Sequence, residues 1–310
     1  MPLSAWLNII WLMDKRHKYS ITDSGKLKRQ ISQYLYFFPA VLLAVLFSYK
    51  PFIKTIANSM SLVDINGRIR EFVGFENFVR LFSDKNFTTS AYNTFRFALM
   101  FVPLDIVVCL MCALLVYKKR RYTAVNELLF VMPMTVAMSS AAIVFQALFN
   151  PTIGVINYVL DLSVQWFNDP AWAMWVVVTL CVWMALGFDF LLFLGALRSI
   201  PKQILEAAEL EGAGPFQKFF RIQLPLISPT MMFIVVNRLR DSMLLSGPVM
   251  VMTEGGPFRS TQTLVFQMYI EGFKAGNYSL GSAISVIVFV LSLFLIIAAF
   301  RFERKGVFYQ

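Results

Sequence analysis

The chain has 310 residues, of which 58% are hydrophobic and only 15% charged, and it carries a formal net charge of +10. A soluble domain is about 45–50% apolar and about 25% charged, so the surplus apolar surface calls for lipid as its solvent and argues against one large soluble core. The basic residues gather in short segments beside apolar runs, which is the pattern of membrane topology and not of nucleic-acid binding.

Residues 1–30 hold a short apolar stretch, Leu3 to Met13, followed by the basic run Lys15, Arg16, Lys18, Lys26, Lys28 and Arg29. The stretch is too short to span a bilayer and lacks a basic segment before it and a small-residue cleavage site after it, so it reads as an interfacial helix or a tail and not as a cleavable signal. Residues 31–310 form the membrane domain. Six segments are long and apolar enough to cross: 32–55, 94–117, 126–149, 172–195, 226–250 and 279–300. Each has the roughly 20 apolar residues that a crossing needs. Lys50 and Lys54 lie toward the outer end of the first, where long side chains snorkel. Pro39, Pro103, Pro133 and Pro229 punctuate the spans, which a membrane helix tolerates when neighbours satisfy the freed carbonyls. The expected fold class is therefore all-α, a polytopic bundle of six transmembrane helices.

Charge bias orients it. With the N-terminus cytoplasmic, the inner segments collect the basic run above, Lys118 to Arg121, Arg198, Lys202, Lys218, Arg221, Arg301, Arg304 and Lys305, while the loop from Asn150 to Pro170 has no Lys or Arg. Both termini then face the cytoplasm. In the outer loops, Phe75, Phe78 and Leu81 or Phe82 recur at helical spacing, which predicts an amphipathic helix over 74–84, and Gly154 to Leu162 predicts another. Each either packs on the bundle or meets a partner protein. Cys109 and Cys112 form a C-x-x-C, but mid-span and without a strand–helix context they read as small packing residues, as does Cys181. His17 is the one histidine, between Arg16 and Lys18, so no zinc or haem site is expected.

The loop between the fourth and fifth spans, about 199–225, is longer than a connection needs. It reads Ser199-IPKQILEAAELEGAGPFQKFFRIQLPLISP to Pro229. Lys202 to Glu211 is rich in Ala, Leu and Glu and predicts a helix; Gly212 and Gly214 end it; Pro215 opens a second through Phe216, Phe219 and Phe220. Leu224-Pro225 is expected to turn the chain back into the membrane. A folded projection of this kind on a transporter is a docking element.

Glu206-Ala207-Ala208, then Gly212-Ala213, then Leu224 and Pro225, resembles the EAA motif of bacterial ABC import permeases. Glu211 stands where that family usually has Asp, so the acid is kept with a longer reach. Phe72-VGFENFVRLF, Leu148-FNPTIGVIN, Leu194-GALRSIP and Thr253-EGGP resemble the carbohydrate-uptake branch, and the short pieces Tyr269-IEGF and Arg301-FERKGVFYQ resemble its glycerol-3-phosphate members. The resemblance covers nearly all of the chain after residue 30. It implies a subunit of the bacterial inner membrane whose loop forms a cytoplasmic coupling helix, with Glu206, Ala207, Ala208, Glu211, Gly212, Ala213, Leu224 and Pro225 against an ABC ATPase dimer. It also implies a second permease subunit, usually a distinct sibling, and an extracytoplasmic substrate-binding protein. The chain has no G-x-x-x-x-G-K-[ST] phosphate loop, so ATP and Mg belong to the partner ATPase, and this chain is expected to be non-catalytic and to bind no cofactor or metal.

Charges inside a membrane are costly and are functional candidates. Asn237, Arg240, Asp241 and Leu244 share a helical face, with Arg238 beside them. The resemblance places substrate contacts in this region, where the family more often has apolar, amide or aromatic residues. Two readings stand. Arg240, with Arg238, contacts an anionic group through its fork of donors, with Asp189 also lining the path. Alternatively, Arg238 pairs with Asp241 at i, i+3, and Asp105 and Asp189 neutralise the arginines structurally. The expected activity is carbohydrate import, with an anionic substrate such as glycerol-3-phosphate as the alternative. A secondary transporter would leave the EAA-like loop unexplained and would often show an internal repeat, which the chain lacks. A membrane enzyme built on Asp105, Asp189 and Asp241 lacks a supporting motif.

Overall fold

The computed structural model describes residues 37–118 and 121–306, with side chains to Arg301. The expected N-terminal interfacial helix and its basic run, like the side chains of Lys119, Arg120, Arg304 and Lys305, lie outside the described residues. The chain divides into two units, Met1–Lys54 and Thr55–Gln310. In the first, the described part is helical and belongs to α1 (Phe37–Ser59). Phe37, Phe38, Leu43 and Phe47 are all exposed. A helix apolar on every side suits lipid.

The second unit begins with a feature the sequence reading did not contain, an antiparallel hairpin of β1 (Ser61–Val63) and β2 (Ile69–Phe72). Its turn is built by Asp64, whose carboxylate accepts from the backbone N–H of Asn66 and Arg68, both at 2.9 Å, an Asx-turn. The amphipathic helix expected over 74–84 is α2 (Glu76–Ser83). It buries Leu81 and Asn77, and Leu81 packs with Phe87, Leu264, Leu280 and Ile284.

The central helix α3 (Lys85–Val116) starts well before the apolar run because Asp84 caps it, accepting from Asn86 N–H at 2.9 Å. Pro103 lies inside α3 without breaking it. The expected third span is two helices, α4 (Thr123–Val131), which tightens over Met132–Thr135, and α5 (Met138–Leu148), bent by 105° where Val136 and Ala137 are extended. Pro133 removes a ladder donor and clashes with the preceding turn, so the α-helical ladder has already given way to the tight turn just before the break. The second predicted outer helix is α6 (Val155–Leu160). Then α7 (Pro170–Ser199) runs unbroken, with Asp169 capping Ala171 N–H at 2.8 Å.

Next come α8 (Lys202–Leu210) and α9 (Pro215–Leu226), the latter widening to a π-turn over Phe219–Gln223. A 66° bend leads into α10 (Ser228–Met243). The expected turn at Leu224-Pro225 is therefore misplaced: Pro225 stays in the helix, and the break falls at Ile227, just before Pro229 in the first turn of α10. Pro229 sits in the first turn of α10, where the fixed φ of proline pre-organises a helix start and its missing N–H costs no ladder bond. The fifth span is also shorter than predicted. It stops at Met243, and a separate short helix α11 (Gly247–Met252) follows, opened by Gly247-Pro248. After it come α12 (Leu264–Tyr269) and α13 (Tyr278–Gly306). Among the described residues four helices are long and apolar enough to cross a membrane, or up to six if each bent pair is one span.

The core of this unit is the α3–α7 seam. Phe97, Phe101 and Val102 meet Met174, Val177, Val178 and Val182 in one half. Cys109, Ala113 and Val116 meet Phe190, Phe193, Leu194 and Leu197 in the other. Small residues let helices approach where lipid gives no hydrophobic drive, and the three cysteines are free thiols. Gly187 serves the same end: a Cβ there would stand 2.9 Å from Met134 Cβ and from the Val131 carbonyl at the α4–α5 break. Gly187→Ala is expected to cost about 1–3 kcal/mol by overpacking, read as a lower thermal unfolding midpoint of the purified protein in detergent, whereas an alanine at Gly195, which faces open space, leaves the midpoint unchanged.

Candidate functional site: a helical projection and a buried charge seam

The segment 199–225 is two short helices joined by a tight turn. Gly212 makes the turn with φ +81°, a left-handed value suited to glycine. Ala213 N–H then donates back to the Ala208 carbonyl at 2.9 Å. Pro215 opens α9 at its first position, and the Gln217 side chain accepts from Gly214 N–H at 3.2 Å. Lys218 on α9 reaches Glu209 on α8 at 2.6 Å and locks the pair. The hydrogen bond and charge of Lys218 hold the Glu209 carboxyl below its usual pKa. The bridge therefore persists at neutral pH and is lost only as pH falls through that lowered value.

Of the residues singled out in this loop, Glu206, Ala207, Glu211 and Gly212 are exposed, Ala208 is buried and Ala213, Leu224 and Pro225 are half-buried. The projection thus turns Glu206 and Ala207 outward and uses Ala208 to pack. It also leaves large apolar groups uncovered: Leu210 and Phe216 are 91% and 78% exposed. The sequence reading named Phe216 only as part of the second helix and did not name Leu210, although an exposed apolar residue on a polar helix was a visible signal. Arg198, at the last turn of α7 before the projection, was likewise read only as topology. Its Nη2 donates to the Val116 carbonyl at 3.1 Å and to Glu127 Oε1 at 2.5 Å, and its Nε donates to the Tyr117 carbonyl at 3.3 Å. A cation on the terminal carbonyls of α3 also suits the helix dipole.

Midway along the bundle, Arg238 on α10 is held by two carboxylates. Its Nε lies 2.8 Å from Asp189 Oδ2 on α7, out of line for a hydrogen bond, and its Nη2 donates to Oδ1 at 3.2 Å. Its Nη1 donates to Asp241 Oδ2 at 2.9 Å. Arg240 donates through Nη2 and Nε to Asp241 Oδ1 at 2.8 and 3.1 Å, and its side chain is 51% exposed. Asp105 on α3 is fully buried beside them, with Oδ1 accepting from Cys109 Sγ at 3.4 Å and Oδ2 unpartnered among the described residues. Donor atoms of Asp105, Cys109 and Asp189 lie within 4.8 Å of one another. The guanidinium of Arg238 already supplies positive charge to that cluster.

The structure brings Arg238, Asp241 and Asp189 together and joins Arg240 to them through Asp241. It does not bring in Asn237, whose amide donates to the Phe233 carbonyl of its own helix at 2.8 Å, nor Leu244, which is exposed just beyond the end of α10. Arg238 and Asp241 line a cavity of about 230 Å³ together with Phe97, Phe101, Phe188 and Leu245. The three phenylalanines were missed because nothing in the sequence separates a cavity-lining Phe from the many other apolar residues of a span.

An apolar helical bundle with a charged seam and a projecting helical pair is the architecture of a multi-span transport subunit. The chain belongs to the family of binding-protein-dependent transport system inner membrane components, which matches residues 105–305. It is 36% identical over 281 residues to the sn-glycerol-3-phosphate transport system permease protein UgpA of Yersinia enterocolitica, covering 89% of this chain and 95% of the relative. Its fold is similar to that of a bacterial ABC transporter involved in the import of the acidic polysaccharide alginate, with TM-score 0.78, 23% identity, and 91% and 98% of the two chains covered. A second solved structure of the alginate transporter, in complex with an alginate pentasaccharide-bound periplasmic protein, aligns at TM-score 0.77, with 23% identity and 91% and 96% covered. The chain is thus a permease subunit of a binding-protein-dependent ABC importer.

Removing one partner of a buried ion pair strands the other charge, at a cost of about 3–5 kcal/mol. Arg238→Ala is expected to lower the thermal unfolding midpoint in detergent steeply, and adding Asp189→Asn is expected to recover much of the loss. By contrast, Arg240→Ala, at a half-exposed site, is expected to shift the midpoint by less than about 1 kcal/mol.

Proposed function

We propose that this chain lines one half of the pathway of a carbohydrate importer and itself catalyses no reaction. The observation that carries the reading is the exposed projection around Glu206, placed on a chain of this family. In this reading six spans cross the bacterial inner membrane with both termini cytoplasmic, in line with the positive charge of the segments around Arg198, Lys218 and Arg301. Residues 31–310 form the pathway domain. The projection, with Glu206, Ala207, Ala208, Glu211, Gly212, Ala213, Leu224 and Pro225, docks on an ABC ATPase dimer that uses ATP and Mg. A sibling permease completes the bundle, and a substrate-binding protein delivers from outside, as a periplasmic protein does in the alginate complex. ATP-driven closure of the ATPase pair moves the projection, and Arg198 passes that motion to α3 and α4.

Phe97, Phe101 and Phe188 around Arg238 and Asp241 offer apolar faces with a few polar groups, a set suited to a sugar ring. The second reading is an anionic substrate such as glycerol-3-phosphate. It is favoured by the names of the relatives and by Arg240, whose half-exposed guanidinium pairs, among the described residues, with Asp241. Asn237, Leu244 and Asp189 complete the candidate path.

Comparing uptake of labelled neutral oligosaccharides and of glycerol-3-phosphate in cells with and without the gene separates the two. Loss of sugar uptake is expected. Loss of glycerol-3-phosphate uptake alone would overturn the neutral reading, and Arg240→Ala would then abolish transport at normal protein level. In either case Glu206→Lys is expected to abolish uptake while the protein still folds and inserts, and normal uptake in that variant would refute the docking role.

A further inference from the structure

The Thr253-EGGP segment has no part in the projection or in the buried charge seam. With Asn86 in the first turn of α3 and Glu271 beyond α12, it encloses a cavity of about 390 Å³. The cavity lies at the opposite end of α3 from Val116, where Arg198 and the projection attach. The helical rise from Asn86 to Val116 is about 45 Å, so the cavity is at the outer mouth when the projection faces the cytoplasm.

The wall is held in an unusual shape. Glu254, Phe258 and Arg259 have φ of 50°, 49° and 62°, left-handed values that side chains rarely adopt. They are tied down from behind. The hydroxyls of Thr253 and Thr261 share a hydrogen bond at 2.7 Å, and Thr261 Oγ1 lies 2.8 Å from the Gly256 carbonyl. Asn93 of α3 donates to the carbonyls of Arg259 and Gln262 at 2.7 and 3.0 Å. Strained backbone so firmly fixed is characteristic of ligand-binding positions.

The lining chemistry is mixed. Glu254 offers a carboxylate, Arg259 a guanidinium and Asn86 a carboxamide, while Gln262, Gln267 and Glu271 form a hydrogen-bonded row along the wall: Gln262 donates to Gln267 Oε1, and Gln267 Nε2 donates to Glu271 Oε1 at 3.0 Å, which leaves the second oxygen of Glu271 to accept. Among the described residues neither Glu254 nor Arg259 makes an ion pair. Phe258 also lines the cavity, and it is 91% exposed. Closely placed donors and acceptors beside an aromatic face match the hydroxyls and C–H face of a sugar ring. Two carboxylates against one guanidinium disfavour a phosphate or another anion.

We propose that this cavity is a saccharide-binding subsite at the outer mouth, which receives a neutral sugar ring before it reaches the mid-bundle cavity around Arg238. The choice of ligand rests on the import reading above; the site itself is a separate claim.

The test uses the assembled importer, with sibling permease and ATPase pair, in lipid nanodiscs without binding protein or ATP. A thiol introduced by Ile270→Cys, at a lining position that supplies neither the aromatic face nor a polar group, is labelled with a maleimide in the presence of maltotriose, cellotriose, xylotriose, raffinose or glycerol-3-phosphate, against the unsubstituted chain as background. A sugar at about nine times its Kd leaves about a tenth of the sites open, so labelling is expected to slow about tenfold. Adding Glu254→Gln and Glu271→Gln is expected to remove that protection, read as the ratio of the rates with and without sugar in the same variant, because the two neutralised carboxylates also change the reactivity of a nearby thiol. The proposal is overturned if no sugar protects, if glycerol-3-phosphate alone protects, if protection survives the double substitution, or if the thiol does not react because a partner covers it. Because no transport is measured, an importer that carries sugar without protection sinks this site alone, while absence of sugar uptake in cells counts against the import reading.

Discussion

A carboxylate in the middle of an apolar bundle needs a cation, and Asp189 takes Arg238. The pair joins α7 to α10, and Asp241, which lines the mid-bundle cavity with Arg238, carries the connection on to Arg240. Neither charge is tolerable alone in lipid-like surroundings. The pairing therefore fixes how α10 rotates against the α3–α7 seam, and with it which side of α10 faces the aromatic cavity.

The same constraint links the two ends of the subunit. At one end the projection leaves α7 just after Arg198, whose guanidinium grips the terminal carbonyls of α3 and Glu127 of α4. At the other, Asn93 of α3 grips the loop that closes the mouth cavity. A continuous helix spans the distance between them. The breaks fall elsewhere, at Val136–Ala137 after Pro133 and at Ile227 before Pro229, so the two sharp bends lie in α4–α5 and α9–α10 beside the unbroken α3 and α7. That division suits a transporter, which must move some helices while keeping the path registered.

Much of this was legible in the residues. The apolar runs locate the bundle because burying that much hydrocarbon in water is not an option. The projection is legible because Ala and Glu favour helix, Gly212 favours the left-handed turn and Pro215 favours a first helical position. One of the two readings of the charged residues makes Asp189 a structural partner for the arginines, and Asp189 does pair with Arg238. The hairpin at 61–72 was not legible, since its strands are short and its turn depends on a local carboxylate. The exit of the chain into α10 was misplaced by two residues because two nearby prolines, Pro225 and Pro229, carry the same local signal.

What the sequence determined by itself was local: an apolar helical chain suited to lipid, the positions of the short helices at 76–83, 155–160 and 202–210, and a projecting helical pair whose turn chemistry is written in adjacent residues. What only the tertiary structure decided was which residues meet across helices. Arg238 rather than Arg240 faces Asp189, Phe97, Phe101 and Phe188 share one cavity, and Asn86 closes another with Glu254 and Glu271. Periodicity places a residue on a face of its own helix. The rotation and crossing of each helix against its neighbours come from close packing at residues such as Gly187 and Ala113 and from the buried charges that must find one another.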